Sequence, residues 1–337
     1  MIRAAILGLG WWGQNLVNSV QASQTMRFTV AHTRHREPAA AFCLQRGLRW
    51  VADFATVLDD PEVDAVVLAT PHSVHVAQIA RAAAAGKHVF VEKPFALTIA
   101  DATAALDAAA KAGIVLGVGF NRRFHPSMGL LRSAVRDQRL GTIVTISAEQ
   151  TALHGLALTE HAWRAQPDES PGGAMTAIGV HLVDGMIDLL GPIRDVFCRV
   201  GRRAATYADD TTDILLGFEN GASGHIFCSV AATPHYRMAV YGTGGFAEIL
   251  GHPMATFRLI PAIAGEHRMT APPEVTETQG FNMLTAELEA FAASVNAGTP
   301  FPTPLSDILH GVEVFEAVLG SAATGTVARV VRSASGL

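Results

Sequence analysis

Three glycines at the start of the chain have a spacing with a physical use. Gly8-Leu9-Gly10-Trp11-Trp12-Gly13 directly follows the short apolar run Ile2 to Leu7 and opens a helical pattern, Trp12 to Gln21. In G-x-G-x-x-G, Gly8 permits a tight turn and Gly10 lets the backbone approach a ligand. Gly13 lets the helix pack close to the strand, and the helix N-terminus offers free N–H groups and a positive dipole end to a phosphate. A lone match is weak, because glycine marks many turns. Between a strand and a helix at the head of a βαβαβ pattern, it predicts the pyrophosphate site of a dinucleotide, with Trp11 and Trp12 among the contacting residues.

The second cofactor determinant stands at the end of the next strand, Phe28 to Thr33. There an acid about 20 residues beyond the glycines would hold a ribose 2′-hydroxyl. The run is instead His32-Thr33-Arg34-His35-Arg36. A hydroxyl at Thr33 followed by the Arg34 guanidinium suits a 2′-phosphate, which arginine grips with parallel hydrogen bonds. NADP is therefore the preferred cofactor expected, with NAD as the alternative if Arg34 and Arg36 are merely solvated. Glu37, followed by Pro38, reads as a first-turn helix residue that complements the dipole.

Two further groups fall where the carboxyl edge of a doubly wound sheet holds ligands. Thr70-Pro71-His72-Ser73-Val74-His75 follows the strand Val63 to Ala69, and Glu92-Lys93-Pro94 ends the strand His88 to Val91. Thr70, Pro71, His72 and His75 are counted with the cofactor site, with a helix N-terminal role as the alternative for His75. Lys93 at this edge would stand over the crevice. Oxidation of a secondary alcohol needs a group that takes the hydroxyl proton, and a lysine with lowered pKa or a neutral histidine can do so near pH 7.

At these residues the sequence resembles the Gfo/Idh/MocA oxidoreductases, the family of glucose–fructose oxidoreductase and inositol dehydrogenase. The resemblance continues through Ala85-Gly86-Lys87-His88-Val89, Asn121-Arg122-Arg123-Phe124, Trp163-Arg164, Gly172-Gly173, Gly179-Val180-His181-Leu182-Val183-Asp184 and the tail Gly298 to Gly325, almost the whole chain. It implies that Lys93 sits between cofactor and substrate and that His181 is acid or base at the reacting hydroxyl. Glu92 and Asn121 would help frame the nicotinamide, and Arg122, Trp163 and Arg164 would meet the substrate. The residues alone leave other roles open: a core histidine for His181, salt-bridged scaffold or contact with an anionic substrate for Arg122, Arg123 and Arg164, and packing for Trp163. One departure matters. The family's aspartate four residues before the histidine is here Ala177. Asp184, at i+3 from His181, could partly substitute or hold helix structure. The alanine also keeps alive a regulatory NADP-binding protein without turnover as the alternative function.

The elements that would position these groups change character near residue 121. Before it, short apolar strands alternate with helices, which implies a Rossmann domain over 1–121, a doubly wound parallel sheet covered on both faces. After it, long strands (Ile143 to Thr151, Asp195 to Val200, Thr212 to Phe218, Ala222 to Val230, Arg237 to Tyr241) and helices at Val180 to Leu190, Asn282 to Asn296 and Ser306 to Gly320 imply an α+β domain over 122–337. Its large open sheet would be mostly antiparallel. Such a face implies, by the resemblance, a homodimer or homotetramer.

Composition narrows the partners. The chain has 337 residues, only 16% of them charged, and a formal net charge of −5, which argues for a small-molecule substrate and against nucleic acid. Neither a secretory signal nor an apolar span of membrane length is read. Cys43, Cys198 and Cys228 are scattered, as in a reducing compartment, and a cytoplasmic protein is expected. The histidine pairs His32/His35 and His72/His75 lack a ligand set with familiar spacing, so no metal is expected.

Overall fold

The computed structural model describes residues 1–267 and 269–333. In chain order the first elements are β1 (Ile2–Leu7), α1 (Trp11–Ser19), β2 (Met26–His32), α2 (Glu37–Arg46), β3 (Arg49–Val51), α3 (Phe54–Leu58), β4 (Ala65–Leu68), α4 (His75–Ala84), β5 (His88–Val91), α5 (Ile99–Ala112) and β6 (Leu116–Val118). Next come α6 (Pro126–Arg136), β7 (Ile143–Thr151), a π-helical turn at Met175–Gly179, α7 (Val180–Leu190), β8 (Ile193–Gly201), β9 (Thr211–Phe218), β10 (Ser223–Ser229), β11 (His235–Gly242), β12 (Gly245–Leu250), β13 (Thr256–Pro261) and β14 (Glu274–Glu277). The chain closes with α8 (Met283–Ala297), α9 (Leu305–Thr324) and β15 (Ala328–Arg329).

These elements form two compact units, Met1–Asn121 with Asn282–Leu309, and Arg122–Phe281 with 310–333. In the first, all six strands are parallel, in the order β3-β2-β1-β4-β5-β6. Their apolar runs are short because both faces are covered: every residue of β4 is buried. The order reverses between β1 and β4, and the carboxyl ends of those two strands form the ligand crevice of such a sheet. The unit takes in α8, far beyond the change of texture at Asn121. On that helix Phe291 packs edge-on against Phe90 of β5 and Phe301, at 5.6 and 6.4 Å between ring centres.

The second unit holds a nine-stranded sheet, β14-β13-β12-β11-β7-β10-β9-β8-β15. Only the β7–β10 pair within it is parallel. Helix α7 lies on one face: a β-carbon at Gly185 would stand 3.0 Å from Met238 of β11. No helix among the described residues is long and apolar enough to cross a membrane.

Candidate active site

The glycine turn is fixed by its own backbone. Gly8 has φ +88°, and a β-carbon there would meet the Ala69 carbonyl oxygen at 2.4 Å. One at Gly13 would meet the Gly8 carbonyl oxygen at 2.0 Å. Glycine is thus required at both positions by strand and helix geometry. Gly10 differs, since a β-carbon there would touch nothing of the protein within 4 Å. Nothing in the protein itself demands glycine there, and the space before it is open. No side chain caps α1, whose N-cap is Gly10, so its first N–H groups remain available to an anion. The surface fits a dinucleotide pyrophosphate. Trp11 is exposed and stacks at an angle on Trp12, with ring centres 5.6 Å apart.

At the end of β2 the expected basic run is in place. His32 turns its Nδ1 to the Val51 carbonyl at 3.2 Å, Thr33 is half-buried and Arg34 exposed. Arg36 lies over the Trp50 ring at 5.4 Å, while Glu37 starts α2 as its first-turn acid. No acid stands at the strand end.

The β4 and β5 loops are tied together. Thr70 donates from Oγ1 to Gln78 Oε1 at 2.6 Å. His75 is fully buried, with Nδ1 3.1 Å from the Pro94 carbonyl and Nε2 3.1 Å from the Thr70 carbonyl. It braces the two loops that present Thr70-Pro71 and Lys93. His72, in the turn just before, meets its ring edge-on at 5.9 Å. Lys93 is half-buried, its backbone N–H donates to Glu92 Oε2 at 3.2 Å, and the Lys93–Pro94 peptide is cis. Gly119 lets β6 pass close to the Glu92 carboxyl group, 3.0 Å from where a β-carbon would be. Asn121 is buried at the start of the following turn.

Sequence reasoning missed a second carboxyl in this unit. Glu287 on α8 is fully buried, and neither of its oxygens meets a hydrogen-bonding group among the described residues. Burial, reinforced by the charge of Glu92, pushes its carboxyl well above the ordinary carboxylate range. An acid that holds its proton more tightly when folded favours folding below its unfolded value, about 4.3, and loses that stability as pH rises towards the folded value. Glu287→Gln removes the titration at nearly constant shape. The variant should therefore melt higher than wild type at pH 8, and the gap should close towards pH 4. A variant that melts lower than wild type at pH 8 would refute the neutral assignment.

In the second unit, the Gly172-Gly173 turn leads into the π turn and α7. A β-carbon at Gly173 would stand 1.8 Å from the Asp209 carbonyl oxygen, so the chain crosses here only with glycine. Ala177 is partly accessible while Met175, Thr176, Ile178 and Gly179 around it are buried. His181 is 7% exposed in the first turn of α7. Asp184 accepts from the Arg123 guanidinium at Nε and Nη2, at 3.0 and 2.8 Å, and Arg123 Nη1 reaches Asp188 at 3.3 Å. Arg132 closes the network on Asp188 at 2.6 Å. Asp184 and Arg123 therefore hold the helix. Arg164 is exposed and lies over the half-buried Trp163 ring at 4.1 Å, in a single turn between β7 and the π turn.

Comparison with known proteins agrees with these features. Residues 2–120 match the family described as an oxidoreductase family with an NAD-binding Rossmann fold, and residues 129–248 match the Gfo/Idh/MocA C-terminal domain. The chain is 28% identical over 345 residues to the rhizopine catabolism protein MocA of Rhizobium meliloti, covering 99% of this chain and 98% of that protein. It is 27% identical over 309 residues to the 1,5-anhydro-D-fructose reductase of Ensifer adhaerens, covering 87% and 88%. Levoglucosan dehydrogenase, solved with NADH and L-sorbose, shares the fold at a TM-score of 0.89, with 20% identity over 98% of this chain and 99% of that one.

Proposed function

The chain belongs to the Gfo/Idh/MocA family of NAD(P)-dependent oxidoreductases, and on that premise we propose that it moves a hydride between NADP and a hydroxyl or carbonyl carbon of a sugar, cyclitol or related polar ring. The relatives named above act, by name, on compounds of that kind. The observation that carries the enzymatic part is the retained Lys93 at the carboxyl end of β5, braced by His75. When bound, the nicotinamide supplies the hydride chemistry.

The protein's part is binding, orientation and the proton. Gly8, Gly10 and Gly13 with the bare start of α1 hold the pyrophosphate, flanked by Trp11 and Trp12. Thr70, Pro71 and His72 line the crevice, and Glu92 and Asn121 frame the nicotinamide. Lys93 takes the hydroxyl proton as the carbonyl forms and returns it in the reverse direction. By the resemblance to the family, His181 is a second acid–base candidate, and Arg122, Trp163 and Arg164 are substrate contacts. Three buried free cysteines, two of them with thiols pushed up to about 12 by burial, suit a reducing cytoplasm. The accessible outer sheet face with Phe197, Leu215 and Phe227 suits a homodimer or homotetramer.

NADP is preferred over NAD because Arg34 projects beside Thr33 with no competing acid. A charged hydrogen bond is worth about 1.5–3 kcal/mol, so Arg34→Ala should weaken NADP binding roughly 10- to 100-fold and leave NAD binding nearly unchanged. Calorimetric titration of both cofactors checks this. Tighter NAD binding by the wild type would overturn the preference, and binding of neither would overturn the function.

A further inference from the structure

The two adjacent arginines of Asn121-Arg122-Arg123-Phe124 have opposite surroundings. Arg123 is saturated by Asp184 and Asp188. Arg122 makes no hydrogen bond and no ion pair to any described residue. Its guanidinium lies over the ring of Tyr236 at 5.4 Å, and its Nη1 is shut off from solvent without an acceptor, while part of the side chain stays accessible. Burial pulls its pKa down to about 10. Asp184 acts on it only at a distance, because that carboxylate is taken by the Arg123 fork.

Beneath it, Tyr236 is 2% exposed and its hydroxyl also lacks a partner among the described residues. Gln150 stands opposite Tyr236 across the β7–β11 pair, so the two side chains share a face, and Gln150 Oε1 is unpartnered as well. The helix that carries His181 runs over that same face. A β-carbon at Gly179 would lie 3.2 Å from the sulfur of Cys228, which is the strand neighbour of Gln150 on its other side.

Leaving a buried cation without a counter-charge is expensive. The cluster offers guanidinium N–H groups, a phenolic O–H and one amide oxygen. An anionic oxygen pair with a neighbouring hydroxyl has the matching pattern. We propose that Arg122 is the receptor for a carboxylate on the substrate, so that the ring oxidised or reduced here is a hydroxy acid such as a sugar acid. This deepens the function proposed above and rests on it only for the hydride step.

The test uses the NADP-saturated protein, titrated with D-glucuronate against D-glucose and with D-gluconate against D-glucitol. The carboxylate of at least one pair should bind at least about tenfold more tightly than its neutral partner. Arg122→Gln should abolish that preference, and Arg122→Lys, which keeps the charge but not the planar fork, should retain part of it. Carboxylates that bind no better than their neutral partners would overturn the proposal, and so would a preference that survives in Arg122→Gln. Oxidation of neutral sugars indifferent to Arg122 would sink this proposal and leave the function standing. Arg122-dependent carboxylate binding without any hydride transfer would do the reverse.

Discussion

Lys93→Met should lower turnover about 10²- to 10⁴-fold, the loss typical when a positioned acid–base group is removed. Lys93→Arg should fare no better. Arginine keeps the positive charge but holds its proton far above neutral pH. The pair separates two roles for the same side chain. If Lys93 only supplied charge to orient substrate or cofactor, the arginine variant would retain most of the activity. If it transfers the proton, both variants fall together. The measurement is reduction of the nicotinamide cofactor under single-turnover conditions, with cofactor binding followed separately by tryptophan fluorescence. A loss much smaller than tenfold in Lys93→Met would remove Lys93 from the proton path and leave His181 as the acid–base group.

Most of the first unit was legible in the sequence because its strands are covered on both faces. Such strands read as short, continuous apolar runs, and glycine or helical alanine runs mark their ends. β1, β4 and β5 follow that pattern, and α4 ends beside Gly86 as expected. Some of what escaped was too short or too exposed to be periodic. β3 has three residues and α3 five. β14 is exposed throughout. The eleven-residue α6 was missed although its signals are local: the His125 ring accepts from the Ser127 N–H, and Pro126 occupies the first turn. The return of α8 to the first unit was hidden for a different reason. Its apolar pattern shows that a face is buried, and nothing in one chain's pattern says against which sheet.

The site divides along the same line. Backbone-determined features were legible, because only glycine fits at Gly8 and Gly13 and those residues announce themselves. Pairings were not. That Arg123 would find Asp184, sixty-one positions away, while Arg122 beside it would find a tyrosine ring, depends on how a turn is aimed over a helix and a sheet. Identity of type gives no hint of it. Glu287 is similar. A glutamate in an apolar helix predicts either a snorkelling surface group or a buried acid, and only the packing of α8 within the first unit decides.

The buried ion pair leads to the largest expected loss of stability. Asp184→Ala should destabilise the second unit by about 3 kcal/mol, the low end for breaking a buried pair, since it leaves the buried guanidinium only the Asp188 carboxylate at 3.3 Å. At roughly 2–4 °C per kcal/mol for a unit of this size, melting should fall by on the order of 10 °C. Side chains of both partners are about nine-tenths or more buried, at 6% and 5% exposed, so screening by solvent offsets little. Asp184→Asn keeps the shape and some hydrogen bonding and should lose less than Asp184→Ala. Removing both charges isolates the cause. If the loss comes from the uncompensated cation, Arg123→Met combined with Asp184→Leu should recover much of it, because apolar replacements of buried ion pairs are often neutral or better. A double variant as unstable as the single would show that the pair's geometry, and with it the seating of the helix that carries His181, is what the unit depends on.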